Sequence, residues 1–270
     1  MHDEGESAQS STTLFCALYG LLRLYPDAAD GDVDPEGLFL LRSESMGWLE
    51  DRALATNADG SSRAVGSPGL WHVLEAGYGD ESIEGDSPTI WFHAALSNHG
   101  PEGVLPTQPF VRCALDVTGR LGFLDHLHAV QMIVPVGHVA ASEAIPHLNT
   151  ADWFSTTSQE SRVRVSITIQ CGADFDLSAS APQIFDAIRS LDQSVLQVES
   201  LTARNSIPTA PPPLIDELWH GPVRHEVQAV GTIANWAAEE IGWAAGFIAE
   251  LCRSLGSAVP IAVSFSREVP

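Results

Sequence analysis

The feature that most constrains the fold of this chain is a strict alternation of apolar and polar residues in its second half. Val163, Val165, Ile167 and Ile169 are separated by Arg, Ser and Thr side chains. Successive side chains of a β-strand point to opposite faces of a sheet, so this alternation is typical of a strand that buries one face only. The segment 259–265 alternates in the same way. The sequence therefore predicts a sheet that needs a covering layer on one side.

Helices are predicted beside these strands to supply that layer. In the same half, a helix is expected over 182–191, capped by Ser180, and a longer helix over 227–255. A further strand is expected over 195–203. The resulting order predicts an α+β fold, with helices packed on an antiparallel or mixed sheet. The order is ferredoxin-like if one more strand lies within 204–226.

The N-terminal half is predicted to add strands and helices of its own. Strands are expected over 13–25 and 90–96. One helix is expected to begin with Asp34 as its N-cap, and a short helix is expected to begin at Ser67-Pro68. This half is therefore also predicted to mix helices and strands.

The chain is predicted to divide into three parts. These are a flexible leader at 1–12, an N-terminal α+β half at 13–150 and a C-terminal β-α-β-α-β half at 151–270. A duplicated unit, two subdomains and one continuous domain all fit this division. A chain of 270 residues with 44% hydrophobic content can bury a core in any of these arrangements.

The first candidate pair of site residues lies on a β-hairpin predicted over 110–134. Its turn is placed at Thr118 and Gly119. Counting back from this turn places Arg112 opposite Asp125 on one face. An arginine held by a carboxylate can bind a carboxylate or enolate oxygen of a substrate, and such a pair can also be purely structural. We expect Arg112 and Asp125 to act in catalysis.

The second candidate pair, His126 and His128, is predicted on the other, otherwise apolar face of this hairpin. Both are expected in catalysis, as general acid, general base or hydrogen-bond donor to a substrate. As metal ligands they would need a third group, with His93 or His138 as candidates. The acidic residue that an iron site would place after the second histidine is absent from 129–133, so no metal is expected. Hydrogen-bonded core histidines are the remaining interpretation.

Charge narrows the range of partners. The chain has 35 acidic and 13 basic residues, which gives a net charge of −22. Such a surface repels phosphate backbones and anionic lipid headgroups, and the apolar stretch at 14–24 is too short to span a bilayer. Neither nucleic acid nor a membrane is therefore expected as a partner.

Composition also excludes several cofactors and locations. All 13 basic residues are Arg, so Schiff-base catalysis and pyridoxal-phosphate attachment, which need Lys, are excluded. The sequence has no glycine-rich phosphate motif, so no cofactor is expected. Its four cysteines are widely spaced without a C-x-x-C motif, which predicts a reduced, cytoplasmic protein. Gly242 and Gly246 on the long helix predict close approach of another backbone, either in tight packing on the sheet or in a homodimer.

These observations lead to three hypotheses about function. The first is a cofactor-independent cyclase, isomerase or lyase acting on a small hydrophobic metabolite, in specialised metabolism. It rests on the excluded cofactors and on aromatic residues and histidines that face an apolar space. The second is a noncatalytic acidic protein of binding or assembly, and the third is a histidine-ligated metalloenzyme.

Overall fold

The structure is a computed structural model that describes residues 12–31, 33–51, 53–56, 62–66, 68–79, 88–97, 104–139, 145–154, 162–204 and 225–268. Its strands are β1 (Thr13–Leu24), β2 (Ala53–Thr56), β3 (Ser62–Val65), β4 (Trp71–Tyr78), β5 (Ile90–Leu96), β6 (Gly122–Val134), β7 (Val163–Cys171), β8 (Leu196–Arg204), β9 (His225–Ile233) and β10 (Ile261–Arg267). Its α-helices are α1 (Pro26–Ala29), α2 (Pro35–Ser45), α3 (Thr107–Leu121), α4 (Leu177–Ser190) and α5 (Ala238–Ser254). Two 3-10 helices complete the list, η1 (Val136–His138) and η2 (Pro146–Phe154).

Eight strands form one antiparallel sheet in the order β4-β5-β1-β6-β10-β7-β9-β8, and β2 pairs separately with β3. Helices α2, α3, α4 and α5 contribute to one hydrophobic core together with the sheet. The predicted α+β class is therefore confirmed, with an antiparallel sheet. None of the described helices is long and apolar enough to cross a membrane.

The two halves of the chain have the same topology. The second half runs β7-α4-β8-β9-α5-β10, with β7 lying between β10 and β9, and β8 at the edge. The first half runs β1-α2-β4-β5-α3-β6 around the inserted β2-β3 pair, with β1 between β6 and β5, and β4 at the edge. Pairing of β6 with β10 joins both halves into one sheet. Whether either half is related to ferredoxin-like proteins, and whether residue 150 is a boundary, stay predictions.

The alternation that predicted the C-terminal strands corresponds to real burial. Val165, Ile167 and Ile169 are buried on β7, and Val263 and Phe265 are buried on the adjacent β10. All five side chains belong to the core that α5 covers. The two predicted strands of this half are therefore confirmed as neighbours in one sheet.

The hairpin predicted over 110–134 is wrong, because its first arm is helix α3. Buried side chains recur along this helix at intervals of three and four residues: Phe110, Ala114, Val117 and Leu121. This spacing is that of one helix face. The predicted turn residue Thr118 lies inside the helix, where its hydroxyl donates to the carbonyl oxygen of Ala114 at 2.7 Å.

Three other predicted elements differ from those in the structure. The segment after Ser67-Pro68 is strand β4, not a helix, because it pairs with β5 along its length. The long C-terminal helix starts at Ala238 rather than at residue 227, and the residues before it form β9. Helix α4 starts five residues earlier than predicted, at Leu177, and its N-cap is Asp176 rather than Ser180.

Helices α3 and α5 approach closely at Gly242. A Cβ atom on Gly242 would lie 2.6 Å from the Cα atom of Gln108 and 2.8 Å from the carbonyl oxygen of Thr107. The predicted close approach of another backbone is therefore confirmed at Gly242, where the neighbour is α3 rather than the sheet, whereas Gly246 faces the side chains of His147 and Thr107. The predicted homodimer stays a prediction.

Replacing Gly242 with Ala should destabilise the protein, because the new methyl group meets backbone atoms that no rotamer change can move. Overpacking of this kind costs about 1–3 kcal/mol, more than the gain of up to about 1 kcal/mol from helix propensity. Gly119→Ala on α3 is the control, since a Cβ atom there meets nothing within 4 Å. We expect urea titration to show opposite signs for the two variants. Equal shifts would contradict the packing at Gly242.

Candidate functional site

A cavity of about 490 Å³ opens beside the N-terminal ends of α3 and α5. Three aromatic side chains line it: Trp48, Trp153 and Phe154. Its polar and charged lining residues are Gln108, Arg112, Asn235, Glu239 and Glu240. We call this the aromatic cavity. Its size and mixed walls suit a small, largely apolar molecule with one or two polar groups.

Arg112 is the cation on the wall of the aromatic cavity. Its guanidinium pairs with the carboxylate of Glu239 on α5 and, at 3.2 Å, with that of Asp116 one turn along α3. Asp116 also accepts a hydrogen bond of 3.0 Å from Arg42 on α2. Glu239, and after it Asp116, raise the pKa of Arg112 above its ordinary value. Two carboxylates therefore contact Arg112, and one of them, that of Asp116, is shared with Arg42.

Glu240 differs from its neighbour Glu239 in being buried, with 6% of its surface exposed. Burial raises the pKa of the Glu240 carboxyl, and the negative charge of Glu239 adds to the rise. Its own backbone amide is the hydrogen-bond partner that opposes this rise. Within the described segments, Glu240 has no salt bridge to a basic side chain. Glu240, with its protonatable carboxyl group, is therefore one of the buried residues that line the aromatic cavity.

The aromatic residues of the cavity differ in exposure. Phe154 is buried and packs edge-on to Trp243, with ring centroids 6.2 Å apart. Trp153, next to it in η2, is 85% exposed. Trp153 therefore offers the aromatic cavity an indole ring that a ligand can reach from solvent.

A smaller cavity of about 220 Å³ adjoins the aromatic cavity, and Gln108 and Pro109 line both. Its other walls are largely apolar and include Leu70 and Leu105, with His147 and Thr150 as polar groups. The two cavities thus lie on either side of the first turn of α3.

His147 and Glu250 form a buried pair beside the smaller cavity. The imidazole Nδ1 lies 2.6 Å from Glu250 Oε1, and the backbone amide of His147 donates to Glu250 Oε2 at 3.0 Å. Both side chains are almost fully buried. The carbonyl oxygen of His147 accepts a hydrogen bond of 2.9 Å from the indole of Trp243. These contacts hold the imidazole in one orientation.

The hydroxyl group of Thr107 lies close to this pair. A Cβ atom on Gly246 would lie 2.3 Å from His147 Nε2 and 2.6 Å from Thr107 Oγ1, so both atoms face the same point of α5. In the part of the chain that the structure describes, Thr107 Oγ1 has no hydrogen-bond partner. The hydroxyl of Thr107 thus lies near the imidazole of His147 without a hydrogen bond to it, so the two do not form a nucleophile and base pair. Thr107 is also fully buried, so its hydroxyl is closed to substrate.

The predicted pair of Arg112 and Asp125 is not formed. Arg112 lies on a helix and pairs with Glu239 and Asp116. Asp125 lies on β6, where its carboxylate is 3.4 Å from His126 Nε2 and 3.9 Å from the guanidinium of Arg23. The pairing was derived from a hairpin turn that does not exist. Of the four predicted site residues, Arg112 is the one that lines a described cavity.

His126 and His128 do not lie on an apolar, enclosed face. Tyr19 of β1 pairs with Ala129, and Leu21 pairs with Asp125, so three residues of β6 bulge opposite Gly20 alone. His126 has a positive φ of 51° at this bulge, and its side chain is 83% exposed. His128 is exposed as well. The bulge interrupts the alternation on which the prediction was based. The catalytic roles of these histidines and of Asp125 stay predictions.

The histidine metal site gains no support from the described residues. Among them, no three His, Cys, Asp or Glu side chains come together as a metal site would need. The ring of His93 on β5 packs against Phe15, with centroids 6.3 Å apart. His138 lies in η1, and burial lowers its pKa. The expected absence of a metal stays a prediction.

Glu240, His147 and Glu250 were not among the predicted site residues. A signal for the two glutamates was present, because both interrupt the apolar run of α5, and a buried charge is more informative than a buried apolar residue. No such signal marks His147, which lies in an irregular segment. Comparison with protein-family models, curated proteins and solved structures found no match to this chain.

Proposed function

We propose that the protein is a cofactor-independent enzyme that moves a proton on a small, largely apolar metabolite, as a cyclase, an isomerase or a lyase does. Glu240 is the proton donor or acceptor. One observation carries the proposal: Glu240 presents a buried carboxyl with a raised pKa on the wall of an aromatic-lined cavity. Perturbed titratable groups in a cleft are typical of catalytic sites.

The other residues of the aromatic cavity have supporting roles in this proposal. A carboxyl whose pKa lies above that of an exposed glutamate can release and accept a proton during one reaction. Gln108 and Asn235 offer amide groups that orient a substrate. The rings of Trp48 and Phe154 give the cavity apolar walls for the apolar part of a substrate. Arg112 holds Glu239 beside Glu240 and is a positioning residue.

We also propose a reducing, cytoplasmic setting for this enzyme. Its four cysteines are all free and buried, which supports a compartment where thiols stay reduced. The net charge of −22 supports a small-molecule substrate over nucleic acid or an anionic membrane surface.

Glu240→Gln tests the proposal, because it removes the titrating proton and keeps the shape of the side chain. The protein is incubated in D₂O with a small-molecule extract of its source organism, and the extract is analysed by mass spectrometry. We expect a compound that gains deuterium or loses a fragment, at a rate that Glu240→Gln lowers by about 10²–10⁴-fold. Glu36→Gln, in the exposed first turn of α2, is the matched control.

Two results of this experiment would show the proposal to be wrong. In the first, the wild-type protein changes no compound, as a noncatalytic binding protein would. In the second, Glu240→Gln is as active as wild type, which would move the chemistry to another residue.

The pH dependence of the rate should separate the two roles of Glu240. As a proton donor it must be protonated, so the rate falls as the pH rises through its pKa. As a base it must be ionised, so the rate rises through the same range. In the free enzyme, this transition should occur at a higher pH than for an exposed glutamate, since burial raises the pKa of Glu240. A profile of kcat/KM measures it, and a profile without this transition would contradict the role.

A further inference from the structure

On the wall of the aromatic cavity, the positive charge of Arg112 is paired with carboxylates. Arg112 is in contact with two carboxylates, those of Glu239 and Asp116. An anionic ligand would have to compete with both for the guanidinium. Arg112 is therefore poorly placed to attract an anion into the cavity.

Glu240, unlike Arg112, has no oppositely charged side chain beside it among the described residues. Its carboxyl group is buried beside a second acidic side chain, Glu239. Within the described segments, Arg112 is the basic residue that lines this cavity, and it pairs with Glu239 rather than with Glu240. A buried carboxylate without a counter-charge is unfavourable, so a positively charged ligand group would supply the missing partner.

The aromatic rings of the cavity favour the same kind of ligand. The face of an indole or phenyl ring attracts a cation through its quadrupole, most strongly for Trp. Trp48, Trp153 and Phe154 place three such rings around the cavity. Trp153 is 85% exposed at the surface, so its face is available to an entering molecule.

We infer that the aromatic cavity binds an organic cation, a small and largely apolar molecule that carries one ammonium group. Its positive charge lies against Glu240 and the faces of the tryptophan rings. The overall charge of −22 favours the approach of such a molecule over that of an anion. The inference rests on the proposed function, since it names the substrate class of the same site.

Three probes of similar shape and different charge test the inference. Choline is the cation. Its carbon analogue 3,3-dimethylbutan-1-ol, with a tert-butyl group in place of trimethylammonium, is the neutral probe. The anion is 3,3-dimethylbutanoate, which carries the same tert-butyl group. Binding is measured by NMR titration at low salt. We expect choline to bind at least about tenfold more tightly than the neutral alcohol. The anion 3,3-dimethylbutanoate should bind weakest of the three.

Two variants assign the binding to the cavity. Glu240→Gln should weaken choline binding about tenfold and leave the neutral alcohol within about twofold, because only the charge contact is lost. Trp153→Ala should weaken choline severalfold. Glu36→Gln, the exposed acidic control, should leave all three affinities unchanged. The retained affinity for the neutral alcohol shows that Glu240→Gln still folds.

Other outcomes overturn the inference. Equal binding of choline and the neutral alcohol would mean that charge is not recognised. Preference for 3,3-dimethylbutanoate would make Arg112 the recognition group. Absence of binding by all three probes would show that the cavity does not bind organic cations. The failure of the proposed function is distinct: choline binding by a protein that changes no compound in D₂O would support the inference and identify a binding protein for organic cations.

Discussion

Replacing Glu250 with Ala should lower the free energy of unfolding by about 3–5 kcal/mol, because it leaves buried hydrogen-bonding groups without a partner and opens a cavity in the core. Glu250 accepts hydrogen bonds from both the ring and the backbone amide of His147. Both residues are buried, so the groups of His147 lose their partner in the protein interior. The variant leaves two unpartnered polar groups and an empty space in the core, each of which is destabilising.

Chemical denaturation measures this loss, and two further variants control it. Glu44→Ala, an exposed glutamate near the C-terminal end of α2, should change stability by no more than about 0.5 kcal/mol. Glu250→Gln should have an intermediate effect, because its amide oxygen can still accept one hydrogen bond while its NH₂ group faces a donor. A loss below about 1 kcal/mol in Glu250→Ala, within the range of an exposed ion pair, would contradict the buried pair.

Ile167→Ala should cost about 2–5 kcal/mol, the range for truncating a large apolar side chain in a packed core. Ile167 is fully buried on β7 and is paired with Phe265 on one side and Ala229 on the other. The cost should lie high in this range, because the paired strands on both sides keep the sheet from closing the space left by the truncated side chain. Thermal unfolding followed by circular dichroism measures it.

Thr168→Ala is the matched control for this prediction. Thr168 is the next residue on the same strand, points to the opposite face and is half-buried. Its truncation should change stability much less than that of Ile167. Similar losses for the two variants would mean that both faces of β7 are packed, which would contradict a sheet with one main core.

The location of the site was only partly predictable. Arg112 lines the aromatic cavity, but it was predicted as a site residue for a partner across a hairpin that does not exist. Its real partner, Glu239, is 127 residues away in sequence. No local pattern relates two residues at this distance, because their contact depends on how α3 and α5 pack against each other. The cavity itself is a product of that packing.

Local sequence patterns were sufficient for those parts of the fold where one pattern permits one structure. The alternation of β7 and β10 suits a one-sided strand alone, since a helix would place those side chains around its whole circumference. Asp34 is the N-cap of α2 as predicted, and its carboxylate accepts a hydrogen bond of 2.7 Å from the amide of Gly37. This role was predictable because an N-cap depends only on the helix turn that follows it.

Tertiary structure decided the remainder. The apolar residues of 107–121 and 71–78 fit either a helix or a strand in isolation, and the choice was made by the neighbours that bury them: α5 for the first segment and β5 for the second. The bulge that exposes His126 arises because Gly20 on β1 faces three residues of β6. Burial of Glu240 and Glu250 also requires surrounding elements, since desolvation is a property of the packed environment and not of the residue.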